Sequence, residues 1–142
     1  MTQVYDDDVV AWAQEQAQLL RNGQWLRLDV EHLAEEIEDV GKSEKRALVH
    51  RLAVLVEHLY KWQAQPERRG NSWLTTIRLQ RLQVQRLLAR MPSLRAMMAD
   101  NDVWIGVWDD AVLLLVKETA IADIPPRCPW TLQQVLTADW LP

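Results

Sequence analysis

Two stretches of this chain hold the residue types that do chemistry in proteins. Residues 28–41, LDVEHLAEEIEDVG, carry six carboxylates and His32. Farther on, Glu57-His58-Leu59-Tyr60-Lys61-Trp62 sets charge inside an otherwise apolar run. On a 3.6-residue period His32 shares a side with Glu35, Glu36 and Asp39. If the two stretches form helices that pack antiparallel, His58 can approach that side. Imidazole with carboxylates suits a divalent ion or acid–base work. A metal-dependent enzyme built on His32, Glu35, Glu36 and His58 is therefore one alternative. The chain lacks the Glu-x-x-His pairs of helical di-metal sites and the His-Glu-x-x-His zinc motif. No catalytic residue is assigned, and no metal or cofactor is expected. The plainer reading is a solvated acidic face, with His58 hydrogen-bonded in a core. Glu57 and Lys61 stand four apart in the favourable order for a helix ion pair. At least one of Glu57 and His58 is expected to be buried and paired.

The second charged set is basic. From Glu67 to Arg95 there are seven arginines against one acid. Arg68, Arg69, Arg78 and Arg81 form a candidate basic face with Trp73 among them. Arginine forks beside an aromatic can hold phosphates and stack a base. The net charge of −4 weighs against a polyanion partner. Bidentate pairing of these arginines with the acids of residues 29–39 is favoured instead. Nucleic acid stays as an alternative partner. Cys128 is alone among prolines with no adjacent base, so it is expected to be a packed thiol beside Trp130.

These residues need elements to position them. The chain has 142 residues, enough for one domain with a real core. Its four glycines favour long helices over many short strands. Asp6 to Asp8 suit a helix start; Val9, Ala13, Ala17 and Leu20 recur at helical spacing beside Trp12 and Leu19. Asn22-Gly23 ends that helix. Asp29 caps a second helix with a stripe of Leu33, Ile37 and Val40, and Gly41 stops or bends it. Ser43 can cap a third, its stripe running through Leu48, Leu52, Leu55 or Val56, and Leu59, and ending before Pro66. Asn71 or Ser72 can cap a fourth. Met91-Pro92-Ser93 breaks it, and Ser93 can restart a short helix through Met98. Asp100 to Asp102 can cap a fifth long helix from Val103 to about Ala120, with Gly106 a weak point. A proline-rich tail follows, and Thr131 to Gln134 has capping-box spacing for one short final helix. The expectation is all-α: a single domain over 1–142, a bundle of about five main helices. Trp62, Trp73, Trp108 and Trp130 are its candidate aromatic anchors. The N-terminus does not read as a signal peptide, and no apolar run spans a bilayer. With one cysteine, a reducing cytoplasm is the expected home.

A spaced set of residues adds a resemblance. It comprises Tyr5-Asp6-Asp7-Asp8 with Trp12, Leu28-Asp29, His32-Leu33, Glu35-Glu36-Ile37-Glu38 and Ser43-Glu44. It continues through His58-Leu59, Lys61-Trp62, Gln65-Pro66, Ser72-Trp73, Thr76-Ile77, Pro92-Ser93-Leu94, Glu118-Thr119 and Cys128-Pro129-Trp130. Across nearly the whole chain this resembles the bacterial family catalogued as domain of unknown function 29. Trp108-Asp109-Asp110-Ala111 departs from it, since the family pattern there is Tyr-x-x-Ala followed by Arg. The resemblance implies a small helical bacterial protein and carries over no catalytic residue. From the residues, the leading function is a non-catalytic module that binds another protein or a second copy of itself.

Overall fold

The computed structural model describes residues 4–142. Every regular element among them is helical. The chain divides into two compact units, Met1–Glu44 and Lys45–Pro142.

In the first unit, α1 spans Val9–Arg21. The Asp8 carboxylate caps it by accepting the Ala11 N–H at 3.0 Å. Its C-terminus closes as a Schellman motif: Gly23 N–H donates to Leu20 O and Gln24 N–H to Leu19 O. Gly23 stands at φ 69°, which only glycine adopts without steric cost. The buried face of α1 is Trp12, Gln16 and Leu19. The expected stripe is thus shifted, and Val9 and Leu20 are exposed. A polar residue takes the inner position because Gln16 Oε1 accepts the Asp29 N–H at 2.8 Å. A single 3-10 turn, Trp25–Arg27, then leads toward the next helix.

That helix, α2, is one element of 35 residues, Val30–Ala64. Two helices divided at Gly41 and Ser43 were expected; the helix runs through both. A mid-helix glycine costs about 1 kcal/mol relative to alanine. Once a helix is nucleated, each added residue needs only one set of dihedrals fixed, so good helix formers on both sides carry it across. Asp29 does act at the start of α2, its carbonyl accepting Leu33 N–H at 3.0 Å.

The second unit holds the core. Leu48, Leu52, Leu55 and Leu59 of α2 are fully buried, in one cluster with Ile77 and Val84 of α3 (Asn71–Arg90). Leu94 of α4 (Pro92–Met98) joins them, with Val107, Trp108, Ala111 and Leu115 of α5 (Asn101–Glu118). Gly70, not Asn71 or Ser72, precedes α3, without a side-chain cap. α5 begins at Asn101, capped by Asp100, and continues through Gly106. The irregular tail contains one short helix, α6, Leu132–Leu136, with the expected Thr131–Gln134 capping box.

A Cβ built on Gly41 meets nothing within 4 Å. Gly41→Ala should therefore stabilise the chain by about 0.5–1 kcal/mol. Chemical denaturation followed by circular dichroism will register this as a higher midpoint, and an unchanged or lower midpoint would contradict a continuous helix there.

Candidate functional site

The polar cluster expected around His32 and His58 resolves into two separate sets, one in each unit.

In the first unit the hub is Asp29. Its Oδ2 accepts the Trp12 indole N–H at 2.9 Å and lies 2.8 Å from His32 Nδ1. Tyr5 stacks on the His32 ring, with centroids 4.2 Å apart, and meets Trp12 edge-on at 4.9 Å. The Tyr5 hydroxyl donates to Glu36. Hydrogen bonding to Asp29 raises the His32 pKa and lowers that of Asp29. Glu35 and Asp39 are exposed on α2. Local sequence produces this set: Asp29 and His32 are three apart at a helix start, so the carboxylate faces both the first turn and the ring. Tyr5 and Trp12 come from the preceding segment.

In the second unit the hub is Lys61. Its ammonium lies 2.7 Å from Glu57 Oε1 and 2.9 Å from Glu118 Oε2. Glu57 is 1 % exposed. Burial pushes its carboxyl up to about 7, hydrogen bonding with Glu118 adds to the rise, and Lys61 works against it. Glu118 moves the other way, well below the usual carboxylate range, held there by its hydrogen bonds with Glu57 and Lys61. His58 Nδ1 donates to the Val54 carbonyl at 2.8 Å, which fixes the proton on that nitrogen. Burial lowers the His58 pKa. Glu57 has the titration of a general acid or base, but its Oε1 lies against the Lys61 ammonium and its Oε2 is 3.6 Å from His58 Nδ1 within the helix packing. The arrangement works as an ionic staple between α2 and α5. Glu118 was missed as a site residue. It is the last residue of α5, and only its place in the family-like pattern set it apart.

The basic face also separates. Arg68, Arg69 and Arg78 are exposed. Arg81 is buried: its Nε donates to Val135 O at 2.8 Å and its guanidinium donates to Trp140 O. Gln85 adds a bond to Leu136 O at 3.1 Å. Arg69 donates to Trp62 O at 2.6 Å and lies over the Trp62 ring at 5.2 Å. Within the second unit, Arg69 and Arg81 are engaged by backbone carbonyls. His32, His58 and Lys61 each pair with a carboxylate of their own unit. Tail carbonyls outside any helix ladder need donors, and an arginine fork satisfies two at once.

Of the aromatic anchors, Trp62 and Trp73 are half-buried, while Trp108 and Trp130 lie in the core. Trp108 donates to Pro125 O at 3.0 Å and Trp104 to Trp130 O at 3.2 Å. Trp130 packs edge-on to Trp140 at 5.6 Å. These indoles tie the tail to α5. Cys128 is half-buried among them, and burial pushes its thiol pKa up. Such a thiol is a poor nucleophile. Among the described residues no group of three or more His, Cys, Asp or Glu is placed to hold a metal ion. No described helix is long and apolar enough to cross a membrane.

Two outcomes follow. Lys61→Ala strips the counterion from a buried carboxylate and should cost about 2–3 kcal/mol, below the usual range for a broken buried pair because Glu57 can take up a proton. Glu57 keeps its proton to a higher pH in the folded chain than unfolded, so its share of stability falls as pH rises from about 4.5 to about 7. His58, with a lowered folded pKa, works in the opposite direction near 6.5. Thermal unfolding at pH 5 and pH 7 should show Glu57→Gln losing less stability over that interval than the wild type. A separate check concerns the tail. Arg81→Ala should speed amide exchange at Val135 to Trp140 at least tenfold, read by hydrogen-exchange mass spectrometry; unchanged exchange would deny Arg81 its clamping role.

With this geometry in hand, comparison with known proteins places the chain. No curated protein matches it, and no solved structure does. The model of the family described as "Domain of unknown function DUF29" matches residues 4–141. A match over nearly the whole chain, on the residues that build both polar sets and the tail, makes this protein a member of that family.

Proposed function

We propose that this chain is a non-catalytic protein–protein interaction module that binds through its first unit. One observation carries the reading. Among the described residues, nine of the fourteen exposed large hydrophobic side chains belong to the first unit. Leu26 is 103 % exposed, and Trp25, Val30, Ile37 and Val40 are all more than 60 % exposed. Single exposed apolar residues are ordinary, but a concentration of them supports a binding surface. An exposed tryptophan with aliphatic neighbours has the composition of an interface hot spot. The polar sets support the same reading, since both are engaged in holding helices and segments together.

The occupant is a protein, either a different one or a second copy. A nucleic-acid reading keeps Arg68, Arg69 and Arg78 but has to do without Arg81, which is committed to the tail. We assign the protein to a reducing bacterial cytoplasm, in keeping with its one half-buried cysteine.

The test is affinity purification from the native host at moderate salt, combined with light scattering of the pure protein. A partner at near-equal amount, or a defined oligomer, is the expected result. Leu26→Asp with Trp25→Ser should abolish it with the circular dichroism spectrum unchanged. A monomer that brings nothing with it, before and after substitution, would overturn the reading.

A further inference from the structure

The exposed face of α2 in the first unit has a regular spacing. Val30, Ala34, Ile37 and Gly41 follow one another at intervals of four, three and four residues. That is the a/d spacing of a helix that pairs with another helix. Val30 is 68 % and Ile37 is 70 % exposed, and Ala34 and Gly41 are exposed between them. The seam therefore alternates a branched side chain with a small one. The small positions are holes, and the space beside Gly41 is open, since nothing lies within 4 Å of a Cβ placed there. Such a seam takes large apolar knobs from a facing helix.

Charge decides what that helix carries. Glu31 and Glu38 each follow a seam residue, at the position that meets the partner's flanking residues. Both are exposed. The first 44 residues hold eleven acids against three Lys or Arg, a net charge of −8. Two such faces brought together antiparallel would set Glu31 and Glu38 against their own copies, which is unfavourable. A cationic helix would gain at the same positions. We propose that the Val30–Gly41 seam binds an amphipathic helix of another protein. That helix has large aliphatic residues on its apolar stripe and Lys or Arg beside them. The proposal rests on the interaction-module reading and names its partner's chemistry.

The probe is a fluorescein-labelled 21-residue helical peptide with Leu at a and d and Lys at e and g; its control carries Glu for Lys. Each is titrated against the full chain by fluorescence anisotropy. The Lys peptide should bind at least tenfold more tightly than the Glu peptide, weakening as salt rises. Ile37→Ser should cost at least tenfold in affinity. Glu31→Lys with Glu38→Lys should reverse the preference between the two peptides. Equal binding of both peptides, or no change on reversing the charges, overturns the proposal. So does a chain that is itself a dimer and becomes monomeric with Ile37→Ser, because the seam then takes a second copy. Capture of a partner that needs Leu26 and Trp25, without any binding of the Lys peptide, defeats this inference alone and leaves the module reading standing.

Discussion

The structure depends most on the burial of one leucine-rich face. Leu48, Leu52, Leu55 and Leu59 of α2 lose all contact with solvent. Fully burying a side chain of this size contributes about 1.5–3 kcal/mol, so this face contributes more than any polar contact described here. It organises the second unit, because α3, α5 and the tail all bring residues to the same cluster. The polar chemistry of that unit is a consequence. Glu57 and Lys61 lie on the same helix as these leucines and are drawn into the packing with them. Their burial is tolerable only because each meets an opposite charge. Glu118 completes the arrangement from α5, where it is partly exposed.

The tail obeys a related constraint. A proline-rich segment cannot satisfy its own carbonyls through a helix ladder. Trp104 and Trp108 supply donors to it from α5, and Arg81 and Gln85 of α3 do the same for the last carbonyls of α6 and for Trp140 beyond it. This explains why the chain invests in tryptophan, which buries a large ring and still donates one N–H. Arg81 also shows why a run of arginines is an uncertain guide to a binding face. Arg81 holds the tail and Arg69 holds the end of α2, so membership of the run does not by itself mark a residue as free for a ligand.

The first unit is built differently. Its contacts centre on Asp29, which engages Trp12 and His32, and on Tyr5, which stacks on His32 and reaches Glu36. Polar and aromatic contacts hold it, with few large apolar side chains fully inside. Much of its hydrophobic surface consequently stays outside, next to a dense acidic charge.

Sequence alone determined the helical class and most helix limits, because these rest on local physics. Asp8, the Asn22-Gly23 stop, the Met91-Pro92 break, Asp100 and the Thr131–Gln134 box act within a turn or two of the chain. The Glu57–Lys61 pair was legible for the same reason, being one helical turn apart. Tertiary structure decided what local signals leave open. Gly41 reads as a stop, yet the cost of one glycine is small against a helix propagating on both sides. Glu118 and Arg81 found partners 57 and 54 residues away in sequence, a separation that no spacing rule reaches. Which apolar stripes went inside was decided likewise. Leu48 and Ile37 stand on the same helix, and only the first lies where other elements come to cover it.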